Sequence, residues 1–304
     1  MDILIVALSQ GLLWSLMAIG VYVTYRILGI ADLTAEGSFA TGGAIAATLI
    51  VNGHSPLTAT LAGIIGGVLA GFITGILYTK FKIPALLSGI LTMTGLYSIN
   101  LRVMGRANIP LIGEYTVFDF FRNLGVSNQL VPMVAGILCV ALVIAILYWF
   151  FNTEMGYVLR ATGDNEQMVR AQGVNTDGMK IFGLMISNGL IAFSGALIAQ
   201  DNGFADISMG GGAIVIGLAS VIIGEVLFGN LSIAKRLMCV GLGSMIYRMI
   251  IALVLNLGLN PIDLRLVSAI VLTIALSSPA FKGVFHKSIQ KPVKSASKLT
   301  KGGV

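Results

Sequence analysis

The sequence predicts an all-α polytopic membrane protein of about 8–10 transmembrane helices, and three observations carry that expectation. Of its 304 residues, 56% are hydrophobic and 11% charged, with a mean hydropathy of +0.93. A soluble domain has too little interior to bury so much apolar side chain. Apolar runs long enough to cross a hydrocarbon core of about 30 Å recur near 3–25, 33–51, 57–79, 84–101, 131–151, 181–200, 211–229, 237–256 and 262–280. None alternates with period two, so each is expected to close its own backbone hydrogen bonds as a helix rather than join a barrel.

Taken in order, the first run opens MDILIVALSQ, without a basic leader or small-residue cleavage site, and is read as a retained span. Charges and glycines interrupt the chain over 31–43, and NGFADISMGGGA over 202–213 is too glycine-rich for a steady helix; both are candidates for re-entrant segments. The third run carries Gly63, Gly67, Gly71 and Gly75 on one helix face, which predicts close packing against another helix of the same chain. Arg102 to Leu130 forms the long loop on the far side, with Glu114 and Asp119 in it.

Basic residues set the orientation. Arg26, Lys80, Lys82, Arg160, Arg170, Lys180, Lys235 and Arg236 share one side with the lysine-rich stretch after Phe281, whereas Arg102, Arg106 and Arg122 lie opposite. By the positive-inside rule the N-terminus is outside and the C-terminus cytoplasmic. Residues 1–281 then form the membrane domain, and 282–304 a basic, disordered cytoplasmic tail held against anionic lipid rather than nucleic acid. Cys139 and Cys239 fall inside apolar runs, and His54 and His286 lie in separate loops with no carboxylate or thiol at ligand spacing. Neither metal chemistry nor nucleophilic catalysis is expected.

Four ionisable residues, Asp32, Glu36, Glu225 and Arg248, fall in or beside the spans. Such groups are costly in lipid and call for an ion pair, a helix cap or a substrate contact. Arg26 is the sequence neighbour able to neutralise Asp32 or Glu36, while a Glu225–Arg248 pair would have to bridge roughly 10 Å of depth.

The longest polar interruption, 152–180, reads NTEMGYVLRATGDNEQMVRAQGVNTDGMK. Asp164 followed by Gln167 has the form of a capping box, and Gly173 suits a helix C-terminus, predicting a helix of about two turns between them. Its apolar edge carries Met168 and Ala171, with Val174 just beyond, while Asp164, Glu166 and Arg170 point elsewhere.

The runs YRILGIADLTAEGSFATGGAIAA, VLRATGDNEQMVRAQGVNTDGMKIFGLMISNGLIAFSGAL and GGGAIVIGLASVIIGEVLFG resemble the broken second helix, the cytoplasmic coupling segment and the late glycine-rich helix of the permease subunits of bacterial ABC importers in the branched-chain amino acid, ribose and nucleoside family. DLTAEGSF resembles the subgroup paired with tryptophan/tyrosine-type binding proteins. The resemblance implies a type II importer fold in the bacterial cytoplasmic (inner) membrane and a homodimer enclosing one path. It also implies an ATPase subunit beneath each copy and a substrate-binding lipoprotein outside. It makes Gly163, Asp164, Asn165, Glu166, Met168, Arg170, Ala171, Gly173 and Val174 the segment that docks into the ATPase. The translocation path is expected where small and polar residues interrupt the helices, at Ser38, Thr41, Gly42, Thr92, Thr94, Asn100 and Asn188. No G-x-x-x-x-G-K-[ST] pattern occurs, so ATP is expected to be hydrolysed by the partner, with no cofactor bound by this chain. The solute implied is an amino acid, aromatic or branched-chain. A secondary transporter is the alternative, although no half-length repeat is present, and an intramembrane enzyme would need a catalytic cluster that these spans lack.

Overall fold

A computed structural model describes residues 2–228, 232–258, 263 and 266–273. The tail over 282–304 lies outside the described residues, as does all of the expected last span except 263 and a helical stretch over 266–273. In chain order come α1 (Asp2–Tyr22), running on as a π-helical turn over Val23–Ile27, α2 (Thr34–Val51), α3 (Pro56–Thr79), α4 (Ala85–Met104), strand β1 (Asn108–Pro110) and α5 (Val117–Asn123). Then follow α6 (Val131–Phe151), α7 (Glu154–Asp164), α8 (Glu166–Ala171), α9 (Thr176–Asn202), strand β2 (Phe204–Asp206), α10 (Ala213–Phe228) and α11 (Ile233–Asn256).

Each of the first eight expected spans is therefore a helix. Among the described residues, five helical segments are long and apolar enough to cross a membrane: Leu4–Ile27, α3, α6, α9 and α11. The segments α2 and α4 reach 18 and 20 residues but are diluted by glycine, serine and threonine, and α10 has only 16 residues.

Local chemistry sets the ends. Ser55 accepts the Thr58 N–H at 3.3 Å with Pro56 in the first turn, which starts α3. Asn175 accepts from Gly178 at 3.1 Å to start α9, and Gly203 ends it in the left-handed region at φ +74°. The break near the second span lies at 28–33, not over 31–43 as expected. Leu28 and Ile30 bond back to Val23 and Thr24, Gly29 turns at φ +67°, and α2 is continuous from Thr34. At 202–213 the chain does leave the helix, through β2 and an irregular leg over 207–212. Ile109 pairs with Ala205 in the two-stranded ladder that ties together the ends of α4 and α9.

The centre of the bundle is α9, which packs against α1, α2 and α3; α1 packs in turn against α6, α10 and α11. The glycine face of α3 makes the central contact possible. A Cβ at Gly63 would lie 2.9 Å from the Gly42 carbonyl oxygen, and one at Gly75 2.9 Å from the Ile181 Cα. At Gly67 and Gly71 it would overlap the carbonyl oxygens of Asn188 and Leu184. The opposite face of α3, with Leu61, Ile65 and Leu69 more than half exposed, forms an apolar outer wall together with Leu142 and Ile146 of α6.

Gly67→Leu and Gly71→Leu should each lower the yield of folded protein sharply, because the added side chain must push backbones apart; even ordinary overpacking costs about 1–3 kcal/mol. Detergent size-exclusion profiles and melting curves would measure this, and normal profiles for both variants would mean that the close approach is not required.

Candidate functional site

Three regions gather the residues singled out by sequence. The first is the α7–α8 segment. Thr153 caps α7 by accepting the Gly156 N–H at 3.3 Å, and Asn165 caps α8 by accepting the Met168 N–H at 3.0 Å. The expected Asp164–Gln167 capping box does not form. Asp164 is the last residue of α7, and Asn165, extended at φ −153°, both ends that helix and starts the next, leaving α8 with six residues. Gly173 takes the left-handed conformation expected of it, at φ +85°. Gly163 faces inward, where a Cβ would collide with the Ile27 carbonyl oxygen.

One side of α8 is anchored and the other is open. Val169 is 2% exposed, while Met168 is 48% exposed and Ala171 lies on the same exposed edge. Val174 is half-buried. Glu166 accepts from Lys180 Nζ at 2.6 Å, from Arg170 at 2.9 Å and from the Thr176 hydroxyl at 3.2 Å. Arg170, expected in the segment that docks into the ATPase, also engages Asp177 at 3.4 Å within its own chain. The Lys180 hydrogen bond, with Arg170 and Thr176, holds the Glu166 carboxyl below the usual carboxylate range.

The second region is a buried polar chain in the seam between α2, α3, α4 and α9. Ser38 Oγ donates to Asn188 Oδ1 at 2.7 Å, and Asn188 Nδ2 donates to Asp32 Oδ2 at 2.7 Å. The other Asp32 oxygen accepts the Thr34 N–H at 2.9 Å. The Thr34 hydroxyl meets Thr74 at 2.7 Å, which meets Thr92 at 2.9 Å. Thr41 donates to the Gly37 carbonyl, and Gly42 abuts the Ala192 backbone. Five residues expected along a path, Ser38, Thr41, Gly42, Thr92 and Asn188, are thus packed into a closed seam.

Thr94 and Asn100 behave differently. They line the third region, a cleft of about 390 Å³ between α2, α4 and the 207–212 leg, together with Glu36, Tyr97 and Ser98. Glu36 Oε1 accepts the Gly212 N–H at 2.9 Å. The sequence analysis missed Tyr97 and Ser98, although Thr94, Tyr97 and Ser98 stand at i, i+3 and i+4, the polar stripe that would have exposed them.

Of the intramembrane charges, Glu225 pairs with Arg26 at 2.7 Å rather than with Arg248, and Arg26 therefore does not serve Asp32 or Glu36. The end of α1 and the end of α10 lie side by side, so no depth has to be bridged. Arg248 instead stacks over Trp14 at 4.5 Å.

Comparison with known proteins fits this architecture. The family model for the branched-chain amino acid transport system/permease component matches residues 3–276. A tyrosine transport system permease protein of Clostridioides difficile is 45% identical over 275 residues, covering 90% of each chain. An uncharacterised protein of Rickettsia prowazekii is 37% identical over 284 residues, 91% of this chain and 98% of that one. Among solved structures, PsaBC from Streptococcus pneumoniae in complex with Fab is similar in fold at a TM-score of 0.51 and 17% identity, covering 88% of this chain and 89% of that one.

The lowered pKa of Glu166 gives its pH dependence a definite sign. Its tie to Lys180 is fully present above the ordinary glutamate value of about 4.3 and is lost as pH falls through the lower folded-state value. Amide protection over 166–172, taken relative to the intrinsic exchange rate at each pH, should therefore stay high at neutral pH and fall only in acid. In Glu166→Gln it should be lower already at pH 7, and equal protection in the variant would remove the ion pair from the account of how α8 is held.

Proposed function

Because the chain belongs to the branched-chain amino acid transport system/permease component family, it is the membrane-spanning permease of an ABC importer for a small solute, and we propose that this solute is an amino acid of the tyrosine type. The permease works with a separate ATPase subunit and a substrate-binding protein outside. In this reading two copies of the chain face each other, the α7–α8 end is cytoplasmic, and the chain binds no nucleotide of its own.

The observation that carries the coupling assignment is the division of α8 into two faces. Val169 and the Glu166–Lys180 tie fix one face to the bundle, while Met168 and Ala171 offer an apolar edge to a partner. ATP-driven closure of the partner subunits moves α8, and the bundle exchanges outward-open and inward-open packings. The free energy comes from ATP; the membrane chain contributes a set of contacts with two arrangements.

Ala171→Asp places a carboxylate in the docking contact, where about 3 kcal/mol of desolvation weakens association more than a hundredfold. Membrane abundance should be normal, while ATPase co-purification and substrate-stimulated ATP hydrolysis are lost. Full retention of both would leave 163–174 a passive loop. Glu166→Ala, on the face turned away from the partner, should keep some docking but loosen α8 from α9, so that ATP hydrolysis persists while solute uptake falls.

Sidedness is tested separately. Ile112→Cys, at a position 89% exposed on the β1–α5 loop, should react with an impermeant thiol reagent in cells stripped of any outer barrier. Gln172→Cys should react only in inverted vesicles, and the reverse pattern would place α8 on the wrong side for an ATPase.

A further inference from the structure

We propose that the cleft between the end of α1, α7 and the start of α11 is a site for the phosphate of an anionic membrane lipid, with Arg160 as its principal ligand. The site lies apart from the α8 edge offered to a partner, and it needs neither an ATPase nor a solute. It encloses about 610 Å³, within the usual range for small-molecule sites, and Arg26, Arg160 and Arg236 all line it.

Arg160 carries the inference. Its Nη2 donates to the Phe151 carbonyl over a long 3.3 Å, its guanidinium stacks over Tyr157 at 4.5 Å, and its Nε is buried with no acceptor. An unmatched N–H of a charged group is costly to bury, and the cleft is where an acceptor can be added. The chain does not supply that acceptor itself. Every aspartate and glutamate of the sequence stands among the described residues, and Arg160 forms no ion pair there. Asp164, one turn further along α7, lines the same cleft without pairing to it.

The surrounding charge points the same way. Arg26 is held by Glu225 at 2.7 Å, and Arg236 donates to the Tyr22 hydroxyl. The first turn of α11 carries Lys235 and Arg236, has no acidic residue and receives no side-chain cap from Ser232, so its amide dipole and its side chains are positive in one place. A guanidinium fork takes two phosphate oxygens side by side, and the remaining oxygens can face the other helices. Depth assigns the phosphate to a lipid. Tyr157 in the cleft, Tyr25 beside Arg26 and Trp149 at the end of α6 are all exposed, an aromatic girdle of the kind that marks headgroup level. Asp164, exposed at the rim, can accept an O–H of a glycerol headgroup.

The test is lipid binding to the purified full-length permease, delipidated in a non-ionic detergent and followed by native mass spectrometry. Dioleoylphosphatidylglycerol should bind about tenfold more tightly than dioleoylglycerol, which has the same chains and no phosphate. Arg160→Gln should abolish most of that difference. Lys80→Gln, an equal loss of charge on the same side of the membrane, should leave it unchanged. Equal binding of the two lipids by the wild type, or an undiminished preference in Arg160→Gln, overturns the site.

A second measurement keeps Arg160 in place, in case Arg160→Gln folds poorly. Asp164→Cys, corrected for the wild-type blank, should react with an uncharged maleimide about tenfold more slowly when phosphatidylglycerol is added and at an unchanged rate with dioleoylglycerol. Inorganic phosphate at the same concentration should protect little. Protection by phosphate equal to that by phosphatidylglycerol would make the occupant a free anion and overturn the lipid assignment. Protection by an added ATPase subunit and none by lipid would give the cleft to a protein partner and overturn it as well.

Discussion

The structure depends on one constraint, the backbone-to-backbone approach of α9 to α2 and α3. Lipid is as apolar as leucine, so helices in a membrane cannot rely on a hydrophobic drive to associate and must gain from close packing and hydrogen bonds. Here the packing is made by omission. Gly67 and Gly71 leave out the Cβ atoms that would strike α9, Gly42 does the same beneath Ala192, and Gly195 beneath the Phe39 carbonyl. The hydrogen bonds come from serines on the other side of α9, where Ser187 donates to Gly20 at 2.7 Å and Ser194 to Leu13 at 2.8 Å. A single helix is thereby held at backbone distance from α2 and α3 and bonded to α1.

That seam also accounts for the buried polar chain. A carboxylate at Asp32, 4% exposed and bound by neutral donors, is expensive, and its bonds to Asn188 and Thr34 offset the cost only in one register of α9 against α2. Sliding α9 by a turn would strip Asn188 of both Ser38 and Asp32. The seam is consequently a rigid unit. Conformational exchange in an importer has to occur across other contacts, such as those of α4 or of the leg that follows β2.

The helices were legible in the sequence because a spanning helix must be apolar over its whole length, a pattern no loop imitates. The α3 glycine face and the Met168–Ala171 edge were legible for the same reason, since spacing alone defines a helix face. What was not legible depended on tertiary position. Asp164 and Asn165 are both good caps in adjacent places, and the contact of Gly163 with Ile27, which no linear pattern announces, settles where α7 ends. Arg26 was matched to its neighbours in sequence, whereas its partner Glu225 comes from a helix almost 200 positions on. Ser38, Thr92 and Asn188 were ambiguous for a subtler reason: small polar side chains mark both a wetted path and a tight helix seam. Here Ser38 bonds to Asn188 and Thr92 to Thr74, contacts that only the tertiary structure reveals.

In the proposed coupling, the seam is what α8 would act upon. Glu166 and Arg170 bind the first turn of α9 through Thr176, Asp177 and Lys180, so a force on the exposed edge of α8 enters α9 at its beginning. With 27 residues α9 spans about 40 Å, and its far end is tied as firmly: Gln200 Oε1 accepts the Val117 N–H at 3.0 Å, and Gly203 accepts from Leu111 at 2.7 Å. Beyond Gly203 the chain passes through β2 directly into the 207–212 leg, whose Gly212 holds Glu36. A displacement at α8 therefore reaches the wall of the α2–α4 cleft through one continuous stretch of chain. Gly163 against Ile27 adds a second point of contact at the end of α1, beside the Arg26–Glu225 pair that joins α1 to α10. Since α10 begins where the leg ends, both stretches lead from α8 to the same glycine turn, 210–212, which forms one wall of the cleft.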